Sequence, residues 1–370
     1  MVRHSIFLTV LLLALAFASA SALRVQTPSD RTLPTTGLDF SGVDRFWEVA
    51  GVLVQDVEPS AKQWSALMAT PGYGLASRNI PDLRDDIDLA LKPSRHAELL
   101  QASARDDDHA LLLAHIALAY QRRAELQSYR DSLAHGAPIA DALRIAARYL
   151  PVGATRDGAP PLVAFAIFKD DGYSFPGGIV VDLLYARSSA HGGTPLTLNL
   201  AHEFHHSFVN RMARHSQTGG TPRPDAALAD AFYSLRNEGL ADLIDKPFPF
   251  HASTAGLTGY AARYDSEYVA TPTTLRAADA LLSAIARDSL PADLEMRASM
   301  LFWSNGHPNG AYIAREVYET FGVDSLYPAA RDPAALLRTY RSAELKHGHP
   351  DPFSALAWLE LDRLDDRYWR

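Results

Sequence analysis

The chain has 370 residues, no cysteine, 43 acidic and 35 basic residues, and a formal net charge of −8 at pH 7. The missing cysteines exclude a disulfide framework and a bacterial lipoprotein anchor, and the acidic balance provides no basic field to attract nucleic acid. After an N-terminal leader, about 350 residues can bury one large core or two modest ones.

Residues 1–22 predict a secretory signal peptide. Residues 1–4 form a short basic start, Ile6–Phe17 is an apolar run, and small-x-small cleavage sequences lie within 18–22. This order is typical of an exported protein, and an apolar run of about a dozen residues is too short for a good transmembrane helix. We therefore expect a secreted or periplasmic protein with no membrane contact after signal cleavage.

The next stretch, residues 23–160, predicts an N-terminal helical region. Good helix formers and helical apolar spacing favour Phe40–Val57, Lys62–Ala69, Ser94–Ala134 (one helix or two) and Ile139–Tyr149. We interpret these helices as permanent scaffold rather than a lid or a propeptide. The connector that follows, Gly153–Pro161, lacks the length and polarity of a processing linker.

Residues 161–370 predict a small β-sheet followed by more helices. Leu162–Phe168 and Ile179–Tyr185 are short, β-branched and aromatic segments separated by Gly and Pro, as expected of neighbouring strands. Helical spacing returns at 225–245, 273–286, 309–321 and 334–344. A helix-rich chain with one small sheet is typical of a mostly helical α+β fold.

The sequence HEFHH, His202–His206, predicts a metal-binding helix. Helical residues four apart differ by about 40° around the axis, so His202 and His206 project from one face and can bind one ion. Glu203 lies about 100° from His202, beside the ion but not among its ligands, where it can take a proton from a metal-bound water. This segment therefore offers two ligands and a base.

A second segment, Asn237–Asp242, offers the remaining parts of a zinc site. Zinc in a hydrolase usually has three protein ligands and leaves a fourth position to water, and Glu238 is the leading candidate for the third ligand. Asp242 follows on the same helix face and is placed to accept a hydrogen bond from a ligating histidine. Asp245, on the Glu238 face, is a fallback carboxylate for the metal. HExxH alone can arise by chance, but the two matched segments together favour a Zn²⁺ site.

These two segments resemble the gluzincin metallopeptidases, which include thermolysin. The resemblance spans about 45 residues, and the whole chain is similar to bacterial families described as zinc-dependent peptidases. It implies that His202, His206 and Glu238 bind zinc, that Glu203 is the general base and acid, and that Asp242 orients His202.

The resemblance also implies a zincin-like catalytic domain over residues 161–370, in which an extended substrate pairs with the edge of the sheet. Gluzincins use a His or Tyr downstream of the third ligand to stabilise the oxyanion. His307 and Tyr312, in a Gly-rich loop that leads into a helix, are the candidates. We favour Tyr312, because a Tyr just inside the helix after such a loop resembles the arrangement in several gluzincins.

Other histidines have weaker claims to bind the metal. The metzincin pattern requires Gly and His where this chain has Val209 and Met212. We interpret His205 as a hydrogen-bonded residue on the helix flank. The remaining candidates are His191, His215 and His251.

The sequence thus predicts an exported zinc-dependent metallopeptidase that cleaves peptides or proteins with a zinc-activated water and Glu203 as general base. Two alternatives stay open: a catalytically inactive, zinc-containing peptide-binding protein, and a zinc hydrolase of a non-peptide amide. The intact Glu203 favours catalysis, because a structural zinc usually takes four Cys or His ligands and needs no base. No feature indicates binding to nucleic acid or a particular oligomeric state.

Overall fold

The computed structural model describes residues 37–103, 107–135, 138–155, 160–189, 195–212, 225–246, 259–289 and 291–369. From Thr35 to Arg370 the chain forms one compact unit. The predicted signal peptide lies outside the described residues. Among the helices that are described, none has the length and apolar character needed to cross a membrane.

Four strands of the described chain form one sheet: β1 (Leu38–Asp39), β2 (Val163–Ala166), β3 (Gly172–Phe175) and β4 (Gly178–Asp182). Their spatial order is β1-β2-β4-β3. β1, β2 and β4 are parallel, whereas β3 is antiparallel to β4 and forms an edge of the sheet. β2 and β4 are buried along their whole length, which matches their continuous apolar sequences.

The described chain between β1 and β2 is helical: α1 (Ser41–Leu53), α2 (Ala61–Met68), α3 (Pro71–Ala76), α4 (Leu83–Leu91), α5 (His96–Ser103), α6 (Asp107–Gln121), α7 (Arg123–Ala134) and α8 (Pro138–Ala146). The segment Ser94–Ala134, predicted as one helix or two, therefore contains three. Two glycines allow α1 and α3 to contact β2 directly. A Cβ on Gly42 or Gly72 would lie 2.7 or 3.0 Å from the carbonyl oxygen of Phe165.

More helices follow β4: α9 (Leu183–Ser189), α10 (Leu196–Met212), α11 (Ala226–Asp245), α12 (Tyr260–Val269), α13 (Thr271–Ala286), α14 (Leu294–Ser299), α15 (His307–Phe321), α16 (Pro333–Lys346) and α17 (Ala355–Leu364), then a π-helical turn, Asp365–Trp369. α11 and α13–α17 share one hydrophobic core, with Phe232, Tyr340 and Trp369 among its large members. The predicted mostly helical α+β class with a small sheet is confirmed.

Asp182 explains why the second predicted strand ends early. Its Oδ1 accepts a hydrogen bond from the backbone N–H of Tyr185 at 2.8 Å, so Asp182 caps the start of α9. Its Oδ2 accepts another from the backbone N–H of Phe168 at 2.8 Å. β4 therefore ends at Asp182, and Tyr185, which was predicted in the strand, lies in α9.

Candidate metal centre

Two helices bring the three predicted ligands together. His202 and His206 lie one turn apart on α10, and Glu238 lies on α11. His206 Nε2 is 2.9 Å from His202 Nε2 and 3.0 Å from Glu238 Oε2. His202 Nε2 is 3.6 Å from the same oxygen. These ligand atoms all lie within 4.8 Å of one another and could hold one ion.

The triangle fits a zinc ion. Tetrahedral ligands at zinc–ligand distances of about 2.05 Å are separated by about 3.3 Å, and the observed separations lie on both sides of that value. Burial would raise the pKa of Glu238, but His206, His307 and His202 together hold it well below its ordinary value. Two imidazoles and one charged carboxylate are a donor set of catalytic zinc sites.

The carboxylate nearest to His202 Nδ1 is that of Asp245 rather than that of the predicted Asp242. His202 Nδ1 is 2.9 Å from Asp245 Oδ1 but 3.6 Å from Asp242 Oδ1. Donation from Nδ1 directs the Nε2 lone pair at the metal position. Around α11, residue 245 lies only about 20° from residue 238, whereas residue 242 lies about 40° away. Asp245 therefore follows the ligand face more closely.

Lys246 supports Asp245 from the other side. Its Nζ is 2.6 Å from Asp245 Oδ2 and 3.7 Å from Asp242 Oδ1. Burial would raise the pKa of Asp245, but His202 and Lys246 lower it overall. Asp245 is therefore a charged partner for the Nδ1–H of His202, which strengthens the histidine as a ligand.

Asp242 binds His307, the first residue of α15. Asp242 Oδ1 and Oδ2 lie 3.0 and 3.1 Å from His307 Nδ1, and Tyr264 Oη donates a 2.8 Å hydrogen bond to Oδ2. His307 Nε2 is 3.3 Å from Glu238 Oε2. Burial would lower the pKa of His307, but Asp242 and Glu238 raise it overall. His202, Asp242 and His307 form a second group whose ligand atoms lie within 4.8 Å of one another and could hold an ion, and this group shares His202 with the first.

The turn before α15 places His307 with an unusual backbone. Ser304 and Asn305 have φ values of +52° and +54°, and Gly306 has φ +85°. Left-handed backbone is costly for residues other than glycine, and it persists where the surrounding structure holds it. A Cβ on Gly306 would lie 2.7 Å from the Cα of Leu235 on α11. The turn is thus pressed against the helix that carries Glu238.

Tyr312, the favoured oxyanion donor, does not reach the site. Its ring centroid is 5.2 Å from that of Tyr268 and 6.3 Å from that of Tyr340, and it packs against the core of α11 and α13–α17. Tyr312 follows His307 by five residues, or about 140° around the helix, so the two side chains face different directions. Of the two predicted donors, His307 is the one in the site.

Glu203 lies between the metal ligands and β3. A Cβ on Gly172, the first residue of β3, would lie 4.0 Å from Glu203 Oε1. Glu203 belongs to neither group of candidate ligands among the described residues. Burial raises the pKa of Glu203 to about 7, although His202 and His206 oppose the rise. Glu203 is thus a carboxylate of raised pKa that lies next to β3 and outside the trio of predicted ligands.

The other predicted histidines contribute no ligand in the described part of the chain. His205 is fully buried, and burial with the neighbouring His206 and His202 lowers its pKa well below the ordinary value. A neutral, buried His205 belongs to neither ligand group. His191, His215 and His251 lie outside the described residues.

Tyr264 and Lys246 are functional neighbours that sequence reasoning missed. Lys246 follows Asp242 by one helical turn, and this spacing could have indicated an ion pair. Tyr264 lies on α12, separated from Asp242 by 22 residues, so no local spacing connects the two.

Comparison with known families supports the zinc site. A family model described as "Putative zinc dependent peptidase (DUF5700)" matches residues 60–348, more than three quarters of the chain. No curated protein and no solved structure matches the chain. The matched residues include α10, α11 and His307, and so every part of the site described above. The chain therefore belongs to the family of that description, DUF5700.

Proposed function

We propose that this protein is an exported zinc metallopeptidase that hydrolyses peptide bonds. The proposal is carried by the triangle of His202, His206 and Glu238, with Glu203 beside it and outside the ligand set. A structural zinc usually takes four protein ligands and needs no adjacent base. Membership of a family of zinc-dependent peptidases supports the same class of hydrolase.

Each residue of the site has a role in this reaction. The three ligands would hold zinc, and Asp245 orients His202. When bound, zinc supplies Lewis acidity to the scissile carbonyl and to a water molecule. Glu203 accepts the proton of the attacking water and returns it to the departing amine.

His307 is the proposed donor to the oxyanion. Asp242 holds its Nδ1, and its Nε2 lies 3.3 Å from Glu238 Oε2, so a protonated His307 carries a second N–H next to the metal position, where the oxyanion would develop. A donor aimed at a developing oxyanion is typically worth about 3 kcal/mol of transition-state stabilisation. His307 therefore takes the role for which Tyr312 was the favoured candidate.

An extended peptide fits along β3. Among the described strands, β3 pairs only with β4, so its outer backbone groups can bond to a substrate strand. Ser174 Oγ on β3 is 2.6 Å from Ser207 Oγ on α10, which ties the strand to the metal-binding helix. Gly172 lies beside Glu203, so a peptide paired with β3 passes next to the base.

Digestion of a broad peptide library by the purified mature protein tests the proposal. We expect cleavage that a chelator abolishes and added zinc restores. Glu203→Gln should keep one zinc per chain and lose about 100-fold or more in turnover. The matched control is Glu360→Gln, which changes a buried glutamate on α17 that pairs with Arg363. This variant should cleave like the wild type.

Each alternative predicts a different result in the same assay. Equal turnover by wild type and Glu203→Gln would contradict a peptidase that uses this base. A zinc-loaded wild type that binds peptides without cleaving them would support the inactive peptide-binding protein. Cleavage of simple amides but not of peptides would support the non-peptide hydrolase.

Export is proposed from the basic start, apolar run and small-residue sites within residues 1–22. N-terminal sequencing of protein expressed in a bacterium and recovered from periplasm or medium should find Ser21 or Leu23 as the first residue. A full-length chain found only in the cytoplasm would contradict export.

A further inference from the structure

We propose that Tyr264 is a positioning residue that holds Asp242 on the His307 side of the site. The catalytic consequence rests on the proposed function, in which His307 stabilises the oxyanion. The placement itself concerns three side chains of this chain and can be tested without turnover.

Asp242 lies between two histidines, and the Nδ1–H of either one could donate a hydrogen bond to its carboxylate. Its Oδ1 is 3.0 Å from His307 Nδ1 and 3.6 Å from His202 Nδ1. Lys246 Nζ is 3.7 Å from the same oxygen. A carboxylate on α11 therefore has attractive partners on both sides, and small shifts decide which histidine it orients.

The hydroxyl of Tyr264 selects the His307 side. It donates to Asp242 Oδ2 at 2.8 Å, and Oδ2 is also the oxygen that lies 3.1 Å from His307 Nδ1. Both side chains are buried, Tyr264 with 2% and Asp242 with 0% of its surface exposed. A buried carboxylate that loses one donor has to find another, because water cannot replace it.

In Tyr264→Phe the Asp242 carboxylate keeps attractive partners on two opposite sides, and His307 lies on one of them. His202 and Lys246 lie on one side, and both are already bonded to Asp245. We expect the carboxylate to turn toward them and away from His307. His307 then loses the acceptor that fixes its ring, so its Nε2–H is no longer directed at the oxyanion.

Kinetics of the zinc-loaded protein on a cleaved peptide give the first test. Tyr264→Phe should lower kcat by about 10- to 100-fold, as expected for loss of a supporting hydrogen bond, with KM and zinc content unchanged. In a His307→Ala background the same substitution should have little further effect on kcat. A full additional loss in that background would show that Tyr264 does not act through His307.

Tyr368→Phe is the matched control. Tyr368 is also a buried tyrosine, 4% exposed, that donates a 2.8 Å hydrogen bond to a buried aspartate, Asp225. It lies in the hydrophobic core of the C-terminal helices. Its substitution should lower stability and leave kcat unchanged. An equal fall of kcat in both variants would assign the Tyr264 effect to general destabilisation and overturn the proposal.

A crystal structure of Tyr264→Phe gives a readout that is independent of activity. We expect the contact between Asp242 and His307 Nδ1 to lengthen from 3.0 Å, and the contact with His202 Nδ1 to shorten from 3.6 Å. An unchanged Asp242 would overturn the positioning role, whatever the kinetics. If the wild type cleaves no peptide, the proposed function fails. The crystal structure of Tyr264→Phe still shows whether Tyr264 holds Asp242 against His307.

Discussion

Gly239 on α11 and Gly310 on α15 are in direct backbone contact. A Cβ on Gly239 would lie 2.2 Å from the carbonyl carbon of Gly310, and a Cβ on Gly310 would lie 2.0 Å from the carbonyl oxygen of Leu235. The two helices can approach this closely only with glycine at both positions. Glu238 and His307 lie next to the crossing, which therefore sets the separation between a metal ligand and the proposed donor.

Gly239→Ala is expected to lower the free energy of unfolding by about 3 kcal/mol or more, because the methyl group has to push two backbones apart. Urea unfolding measures this effect. Gly51→Ala is the control, since Gly51 in α1 has open space around an added Cβ. Alanine there should leave stability unchanged or raise it by up to about 1 kcal/mol. Similar losses in both variants would contradict the close crossing.

Asp245→Asn should weaken zinc binding by about 10- to 100-fold, because His202 loses the charged acceptor that orients it. Asp242→Asn should weaken zinc binding less, since Asp242 is bonded to His307. Competition with a chromophoric chelator measures both affinities. The buried Asp225, at the start of α11, provides the control Asp225→Asn, which should retain wild-type affinity. A larger loss for Asp242→Asn would restore the pairing predicted from sequence.

His307→Ala should lower kcat by about 100- to 1,000-fold, the usual cost of removing an oxyanion donor. Tyr312→Phe should leave kcat near the wild-type value, because Tyr312 lies among core aromatics. Steady-state kinetics on one peptide substrate compare the two variants. The reverse ranking would show that the tyrosine reaches the substrate and that the histidine does not.

His115 on α6, which is partly buried, and the buried Asp182 at the end of β4 form an ion pair, 2.9 Å between Nε2 and Oδ1. Burial lowers the pKa of His115, but Asp182 and Asp170 outweigh it and raise the pKa overall. Because the folded pKa lies above the unfolded value of about 6.5, the pair's stabilisation is fully present below that pH. It is lost as the pH rises through the folded pKa.

His115→Asn should therefore lower the free energy of unfolding by about 1–2 kcal/mol at pH 6 and by less at pH 9. Urea unfolding at the two pH values measures the difference. His96→Asn, at an exposed histidine, should show no such pH dependence. A loss for His115→Asn that stays the same at both pH values would contradict an ion pair with this sign.

The proximity of the three candidate ligands could be predicted from sequence because its signal is local. His202 and His206 share a helix face by spacing alone, and Glu238 lies on a helix whose predicted bounds, 225–245, nearly equal those of α11. Which of Asp242 and Asp245 contacts His202 cannot be decided from local spacing. Both lie near the ligand face, and the rotation of α11 against α10 and α15 decides which one His202 meets.

In the sheet too, some strands can be recognised from their own sequence, whereas others depend on a partner strand that is distant or only paired in the fold. β2 and β4 are continuous apolar segments and were predicted. β3 is only partly buried, and β1 has two residues, so neither has an apolar run or a clear alternation. β3 becomes a strand because β4 offers it a partner. That pairing cannot be read from four residues of edge strand.

The contact of Asp225 with Arg367 and Tyr368 joins the start of α11 to residues near the end of the chain. Asp225 precedes the first turn of α11, and Tyr368 lies 143 residues later in the chain. At about 5–20 residues per second, a ribosome needs roughly 10 s to add the intervening chain. The helix that carries Glu238 is thus synthesised well before the residues that anchor its start. The contacts that anchor the start of α11 therefore form only in a chain translated past residue 368.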